Sequence, residues 1–130
     1  MLDVASRYKQ VQIQTSSPGE ILLALYDGLF RFLRGAQLCL EQKQRARAGE
    51  LISKSHAIIS ELLIALDPKH NPELCQHLSG VYDFCLDRLT QANLKSDPIL
   101  VAEVIMVLSP IKEAWEVAVP QAAREQTLPR

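Results

Sequence analysis

About two-thirds of the way along, the sequence reads Tyr82-Asp83-Phe84-Cys85-Leu86-Asp87-Arg88-Leu89-Thr90-Gln91-Ala92-Asn93-Leu94, which is the clearest sign of its fold. It belongs to a longer segment in which apolar residues recur at the spacing of an α-helix, namely Leu74, Leu78, Val81, Cys85, Leu89 and Ala92. A second apolar line, consisting of Cys75, Tyr82, Leu86 and Leu89, runs beside the first. Two adjacent lines predict a helix that contacts neighbours on both sides, or a partner as well.

The start of another helix is marked by Ser17-Pro18-Gly19-Glu20. The serine hydroxyl can cap the helix, proline is favoured at the first helical position, and glutamate two residues later completes a capping box. One apolar face then follows through about residue 42, formed by Leu22, Leu25, Tyr26, Leu29, Leu33, Ala36 and Leu40. The pattern predicts a helix over residues 17–42, with Phe30 off its inward face.

Three further helices follow the same logic. Helical spacing covers residues 46–66, and Asp67-Pro68 ends that helix because a residue before proline is pushed out of helical geometry. The segment quoted above predicts a helix over 72–95. Asp97 is the predicted N-cap of a helix over 97–119, with Pro110 in its interior and a polar tail over 120–130.

Helices of similar length with short connections must run antiparallel to their sequence neighbours. The predicted fold is therefore all-α, a single domain over 1–130 built as an antiparallel up-down-up-down four-helix bundle. Residues 1–16 fit both a helical and an alternating pattern, so we expect a loosely held N-terminal segment.

Composition and charge argue against several classes of function. Lys and Arg number 14 against 15 Asp and Glu, which gives no overall field for nucleic acid or an anionic membrane. No apolar run approaches the roughly 20 residues that a membrane helix needs, so membrane insertion is not expected. Cys39, Cys75 and Cys85 each lie in a helical pattern and form no C-x-x-C pair, which points to free thiols in a reducing cytoplasm.

Motifs of catalysis are missing from the sequence. It contains no Gly-rich phosphate loop, no nucleophile elbow and no paired metal-ligand spacing, so we expect no enzyme, metal or cofactor. His56 leaves one alternative, a histidine phosphotransfer bundle, although neither the lysine nor the glycine expected shortly after such a histidine is present.

More apolar residues are present than the inward stripes of a bundle can hold. This surplus consists of Leu23, Phe30, Leu63, Ile64, Leu86, Ile99, Ile105 and Met106. It is compatible with an ordinary apolar core or with grooves that accept apolar helices from a partner. A structural dimerisation bundle that buries the surplus against itself is a further alternative.

Several stretches resemble the FliS family of flagellin-specific export chaperones, in the same order along nearly the whole chain. They are Tyr8-Lys9-Gln10-Val11, Ser17-Pro18-Gly19-Glu20-Ile21-Leu22, Leu25-Tyr26-Asp27-Gly28, Val81-Tyr82-Asp83-Phe84, Gln91-Ala92-Asn93-Leu94 and Ala114-Trp115. The resemblance implies a cytoplasmic chaperone that binds the disordered C-terminal segment of flagellin in apolar helical grooves. Such binding would block premature polymerisation and aid delivery to the flagellar export apparatus.

The resemblance also implies partners and sites. The partners would be the flagellin C-terminal segment and a component of the export gate, with a homodimer as an alternative for the free protein. The predicted client-binding positions are Leu86, Leu89, Asn93, Ile105 and Met106. The predicted N-terminal cap, which also docks at the export gate, contains Val4, Tyr8, Val11 and Ile13.

Overall fold

Four α-helices form the chain in a computed structural model that describes residues 17–127. They are α1 (Pro18–Glu41), α2 (Arg45–Ile64), α3 (Pro72–Lys95) and α4 (Pro98–Thr127). The described residues contain no strand. The all-α class and the four predicted helices are confirmed.

Helices α1, α3 and α4 each begin where a local capping signal predicts a start, whereas α2 does not. The Ser17 hydroxyl accepts a hydrogen bond from the Glu20 backbone N–H at 3.2 Å. Asn71 Oδ1 accepts from Leu74 N–H at 3.2 Å, and Asp97 Oδ1 accepts from Ile99 N–H at 3.0 Å. Proline follows each of these three caps, where its missing N–H leaves no helical bond unmade. The α2 N-cap, Gln44, makes no side-chain capping bond.

The ends of two helices differ from the prediction. Helix α2 stops at Ile64 rather than 66, before Asp67 accepts a turn-forming hydrogen bond from Lys69 N–H. Helix α4 continues through Pro120 to Thr127, so the predicted tail over 120–130 is wrong as far as residue 127. Proline removes only its own N–H bond, and the turn before Pro120 is held against α1, where Gly19 lies beside Val119.

The helices form a ring in which α1 packs on α2 and α4, and α3 packs on the same two helices. Contacts along α1 and α4 run in opposite order, since Gly19 lies beside Val119 and Asp27 pairs with Lys112 at 3.3 Å. The same reversal relates α1 to α2, where Gly35 lies beside Leu51 and Lys54 stacks on Phe32. These contacts fit the antiparallel arrangement.

The ring encloses one apolar core. Its members are Tyr26, Leu29, Phe30, Leu33, Ala36, Cys39, Leu40, Ala48, Leu51, Ile52, Ile59, Leu62, Leu78, Tyr82, Cys85, Leu89, Ala92, Val101, Val104 and Leu108. Phe30 corrects a prediction, because it is buried rather than turned away from the core. The cations of Arg34 and Lys112 lie over its ring, 5.6 and 5.7 Å from the centroid, and these long side chains shield it from water.

A hydrogen bond crosses the middle of this core. The hydroxyls of Tyr26 on α1 and Tyr82 on α3, which lie diagonally across the ring, are 2.5 Å apart. Burial raises the pKa of both phenols above 10.0, so both keep their protons at neutral pH. The hydrogen bond between the two hydroxyls offsets the free-energy cost of removing each of them from water.

The tyrosine pair predicts a non-additive mutant cycle. We expect Tyr82→Phe and Tyr26→Phe each to lower the free energy of unfolding by about 1–2 kcal/mol, because each leaves a buried hydroxyl without its partner. The double variant should lose clearly less than the two losses together, since no orphaned hydroxyl remains. Urea unfolding of the four proteins measures this, and strictly additive losses would contradict a direct bond.

The buried thiol of Cys85 predicts how stability responds to alkali. Burial raises the pKa of this thiol from 9.0 to about 12. Between these values the unfolded chain loses the proton and the folded chain keeps it, so the stabilisation is complete below pH 9 and falls as pH rises. We expect a loss of about 1 kcal/mol in the free energy of unfolding between pH 9 and 10.

Urea titrations at pH 8, 9 and 10 check this expectation. Cys85→Ala serves as the control, because its slope over the same interval should be shallower even though the variant is less stable at every pH. The unfolded tyrosines, with a pKa near 10.0, begin to add to the loss between pH 9 and 10, but this part is the same in both proteins. Equal slopes for the two proteins would show that Cys85 is not the responsible group.

Candidate functional site

Leu89 does not lie at the surface that the sequence predicts for it. Its side chain is fully buried at the centre of the core. The reason is visible in the sequence, because Leu89 belongs to both apolar lines of α3 and therefore stands in the middle of the buried arc. In the free protein Leu89 can support a binding surface only from beneath.

Leu86 and Asn93 lie on the side of α3 that faces α2. Asn93 Oδ1 is beside Gly49, only 3.4 Å from where a Cβ on that glycine would stand. Leu86 precedes Asn93 by two helical turns and so shares its side of α3. Leu86 is half-buried against the core, whereas Asn93 is exposed.

Ile105 and Met106 point in different directions although they are neighbours. Lys112 faces α1, because its ammonium pairs with Asp27. Ile105 lies two helical turns before Lys112 and therefore also faces α1, where its side chain is half-buried. Met106 is 68% exposed on the outer face of α4. The five predicted client positions therefore occupy the core and three separate faces, and the structure does not bring them together into one patch.

The predicted N-terminal positions Val4, Tyr8, Val11 and Ile13 lie outside the described residues. Of the surplus apolar residues, Leu23, Leu63, Leu86 and Ile105 are half-buried, while Ile64, Ile99 and Met106 are exposed. Part of the surplus thus completes the core, and part of it remains on the surface.

The outer face of α4 carries an apolar stripe that sequence periodicity did not single out. Ile99, Met106 and Val117 are 66%, 68% and 69% exposed and lie on one side of the helix. Single exposed apolar residues are common, but three in line on one helix are the pattern of a contact surface. The signal was present in the sequence, since these residues are out of phase with the buried Val101, Val104 and Leu108.

A shallow groove, which we call the α3–α4 groove, lies next to this stripe. It is lined by Gln76, His77, Gly80, Val81 and Phe84 of α3 and by Val107 of α4. Its exposed surface is mostly apolar, and it is widely open to solvent. Sequence reasoning missed this groove because its depth comes from Gly80, which has no side chain, and from the register between two helices.

A pair of charged side chains lies at one end of the groove. The Arg88 guanidinium stacks on the Phe84 ring, 4.8 Å from its centroid, and its Nε lies 3.1 Å from Glu103 Oε2. This is an ion pair by distance, but the Nε–H does not make a hydrogen bond with that oxygen. Because both side chains are about one-third exposed, the pair contributes little to stability and mainly marks the boundary of the apolar surface.

Residues for other kinds of chemistry are sparse in the described part of the chain. His56, the candidate phosphotransfer histidine, is half-buried on α2. Over residues 17–127 no three side chains of His, Cys, Asp or Glu come together in a way that could hold a metal ion. None of the described helices combines the length and hydropathy of a membrane span.

Comparison with known proteins identifies one family. A model of the family described as flagellar protein FliS matches residues 1–122. The flagellar secretion chaperone FliS of Bacillus subtilis is 34% identical over 119 residues, covering 92% of this chain and 88% of the relative. That of Salmonella typhimurium is 37% identical over 125 residues, covering 92% and 93%. That of Vibrio cholerae is 30% identical over 118 residues, covering 88% and 87%.

Proposed function

Because this chain belongs to the FliS family, whose relatives above are flagellar secretion chaperones, we propose that it is the cytoplasmic export chaperone of a flagellin. It would bind the C-terminal segment of flagellin, prevent that segment from polymerising too early, and aid its delivery to the flagellar export apparatus. The proposed activity is binding alone, without a catalytic step, metal or cofactor.

One observation carries the proposal beyond the family match. The core is filled, yet large apolar side chains remain exposed on several faces, among them Ile99, Met106 and Val117 on α4, Leu38 on α1 and Phe84 on α3. A rigid partner with one flat interface could not cover positions that are spread around a bundle. A flexible segment that wraps around the helices can cover them.

The predicted positions fit such a wrapping client better than a single pocket. Leu86 and Asn93 would contribute along α2 and α3, Met106 along the outside of α4, and Ile105 along α1 and α4. A client that is disordered when free loses conformational entropy when it folds on the chaperone, and this cost limits its affinity for the area it buries. Limited affinity suits a chaperone that has to release its client for export.

Binding of a flagellin peptide tests the proposal. Calorimetric titration with a peptide of roughly 40 residues from the C-terminus of the host's flagellin should give 1:1 binding. Its heat-capacity change should be large and negative, because apolar surface is buried as the peptide folds. Met106→Gln should weaken binding by roughly tenfold, since the interface loses one buried apolar side chain.

Ile64→Gln is the matched control, because Ile64 is also a largely exposed apolar side chain (84% against 68% for Met106) but lies outside the proposed positions. Both substitutions change only exposed side chains and should leave the urea midpoint nearly unchanged. Absence of binding by the intact protein would exclude a flagellin chaperone. A tight dimer in sedimentation, unaffected by the peptide, would instead support the dimerisation bundle.

The N-terminal residues receive a separate role in this proposal. Val4, Tyr8, Val11 and Ile13 would cover part of the apolar surface in the free chaperone and be displaced by the client. Once displaced, the segment around Tyr8 would dock at a component of the export gate.

Tyr8→Ala separates the docking role from client binding. We expect this variant to bind the flagellin peptide with an affinity close to that of the parent protein, but to support clearly less flagellin secretion in cells that lack their own chaperone. Secreted flagellin, measured in the culture medium, is the readout. Full secretion by the variant would refute the docking role while leaving client binding intact.

A further inference from the structure

Gly80 stands in the middle of α3, and nothing within the described molecule calls for a glycine there. Its backbone is ordinary helix without a positive φ, and a Cβ added to it would meet no atom within 4 Å. Glycine is nevertheless the least favourable helix residue apart from proline. A glycine at this position therefore lowers the stability of α3, and no contact within the described molecule compensates for it.

Pro110 on α4 is a second residue of this kind, on the exposed face of that helix beside the groove. Phe84 and Val107 line the α3–α4 groove together, and one turn further along the antiparallel helices brings Gly80 opposite Pro110. Pro110 has no N–H, so the carbonyl of Met106 lacks its usual helical donor. A helix-breaking glycine therefore lines the groove and a helix-breaking proline lies beside it, and local rules of this kind are most often broken at functional sites.

The charges around the groove restrict its occupant. The exposed charged side chains on the outer faces nearby are Asp83 and Asp87 on α3 and Glu113 on α4. The cation at the groove, Arg88, is already paired with Glu103 and lies 4.0 Å from Asp87. An occupant with an apolar stripe toward the groove and Lys or Arg on its flanks matches this distribution.

We propose that Gly80 is the crossing point at which an apolar helix of the bound flagellin segment, flanked by basic residues, packs directly against the backbone of α3. This rests on the proposed function and assigns a contact to it. With side chains between them, helix axes stay about 8–10 Å apart. A glycine lets the partner backbone come closer, so Val81, Phe84 and Val107 form the walls of its seat.

Gly80→Ala tests this contact because it adds one methyl group at the crossing point. The free variant should melt roughly 2–4 °C higher than the parent, since alanine favours the helix and meets no neighbour. Its affinity for the flagellin peptide should fall about tenfold, since the methyl group pushes the bound helix away from α3. Calorimetry and thermal unfolding of the same samples give both values.

Gly28→Ala is the control for stabilisation alone. Gly28 is buried in α1, and the nearest atom to an added Cβ is Arg31 Nη2 at 3.9 Å, so the change leaves the surface as it was. This variant should also melt higher, but it should bind the peptide as the parent does. A lower melting temperature for Gly80→Ala, or unchanged affinity, would overturn the crossing point while the chaperone function stands. Failure of the parent protein itself to bind would overturn both.

Discussion

The bundle depends on a hydrogen bond that joins two helices inside a largely apolar core. Tyr26 and Tyr82 reach across the diagonal of the ring, and their hydroxyls meet where no water can replace either partner. A hydroxyl left alone there would lose its hydration without compensation, so α1 and α3 must hold a rotation and height at which the two groups meet. Apolar packing alone tolerates several rotations of a helix, whereas this bond favours one.

The rotation of α1 and α3 that this bond fixes also determines which side chains reach the surface. The apolar arc of each helix is wider than the space that the ring can enclose, so some residues must remain outside. Phe30 avoids exposure because Arg34 and Lys112 lie over its ring, whereas Met106 and Ile99 have no such cover and stay exposed. Substitutions at these exposed positions would not open the core, so the proposed binding surface can change while the fold stays the same.

Local signals account for what could be predicted about the fold. Ser17, Asn71 and Asp97 are N-caps followed by proline, and each acts within one helical turn. The three helices that follow them begin within one residue of the predicted positions. The end of α4 could not be read in this way. Proline at 120 looks like a stop in the sequence, but the contact between Gly19 and Val119, from opposite ends of the chain, supports the helix there.

The number of helices, their starting points and most of the residues that line the core could be predicted from the sequence, because helical period, caps and prolines act over a few residues. Which apolar residues stayed at the surface depended on how the helices pack. Leu89 went into the core, Leu86 and Met106 went to different faces, and Gly80 became the floor of a groove with Val107 as its opposite wall. Those outcomes depend on the rotation and register of one helix against another, which are set by contacts between residues far apart in the chain.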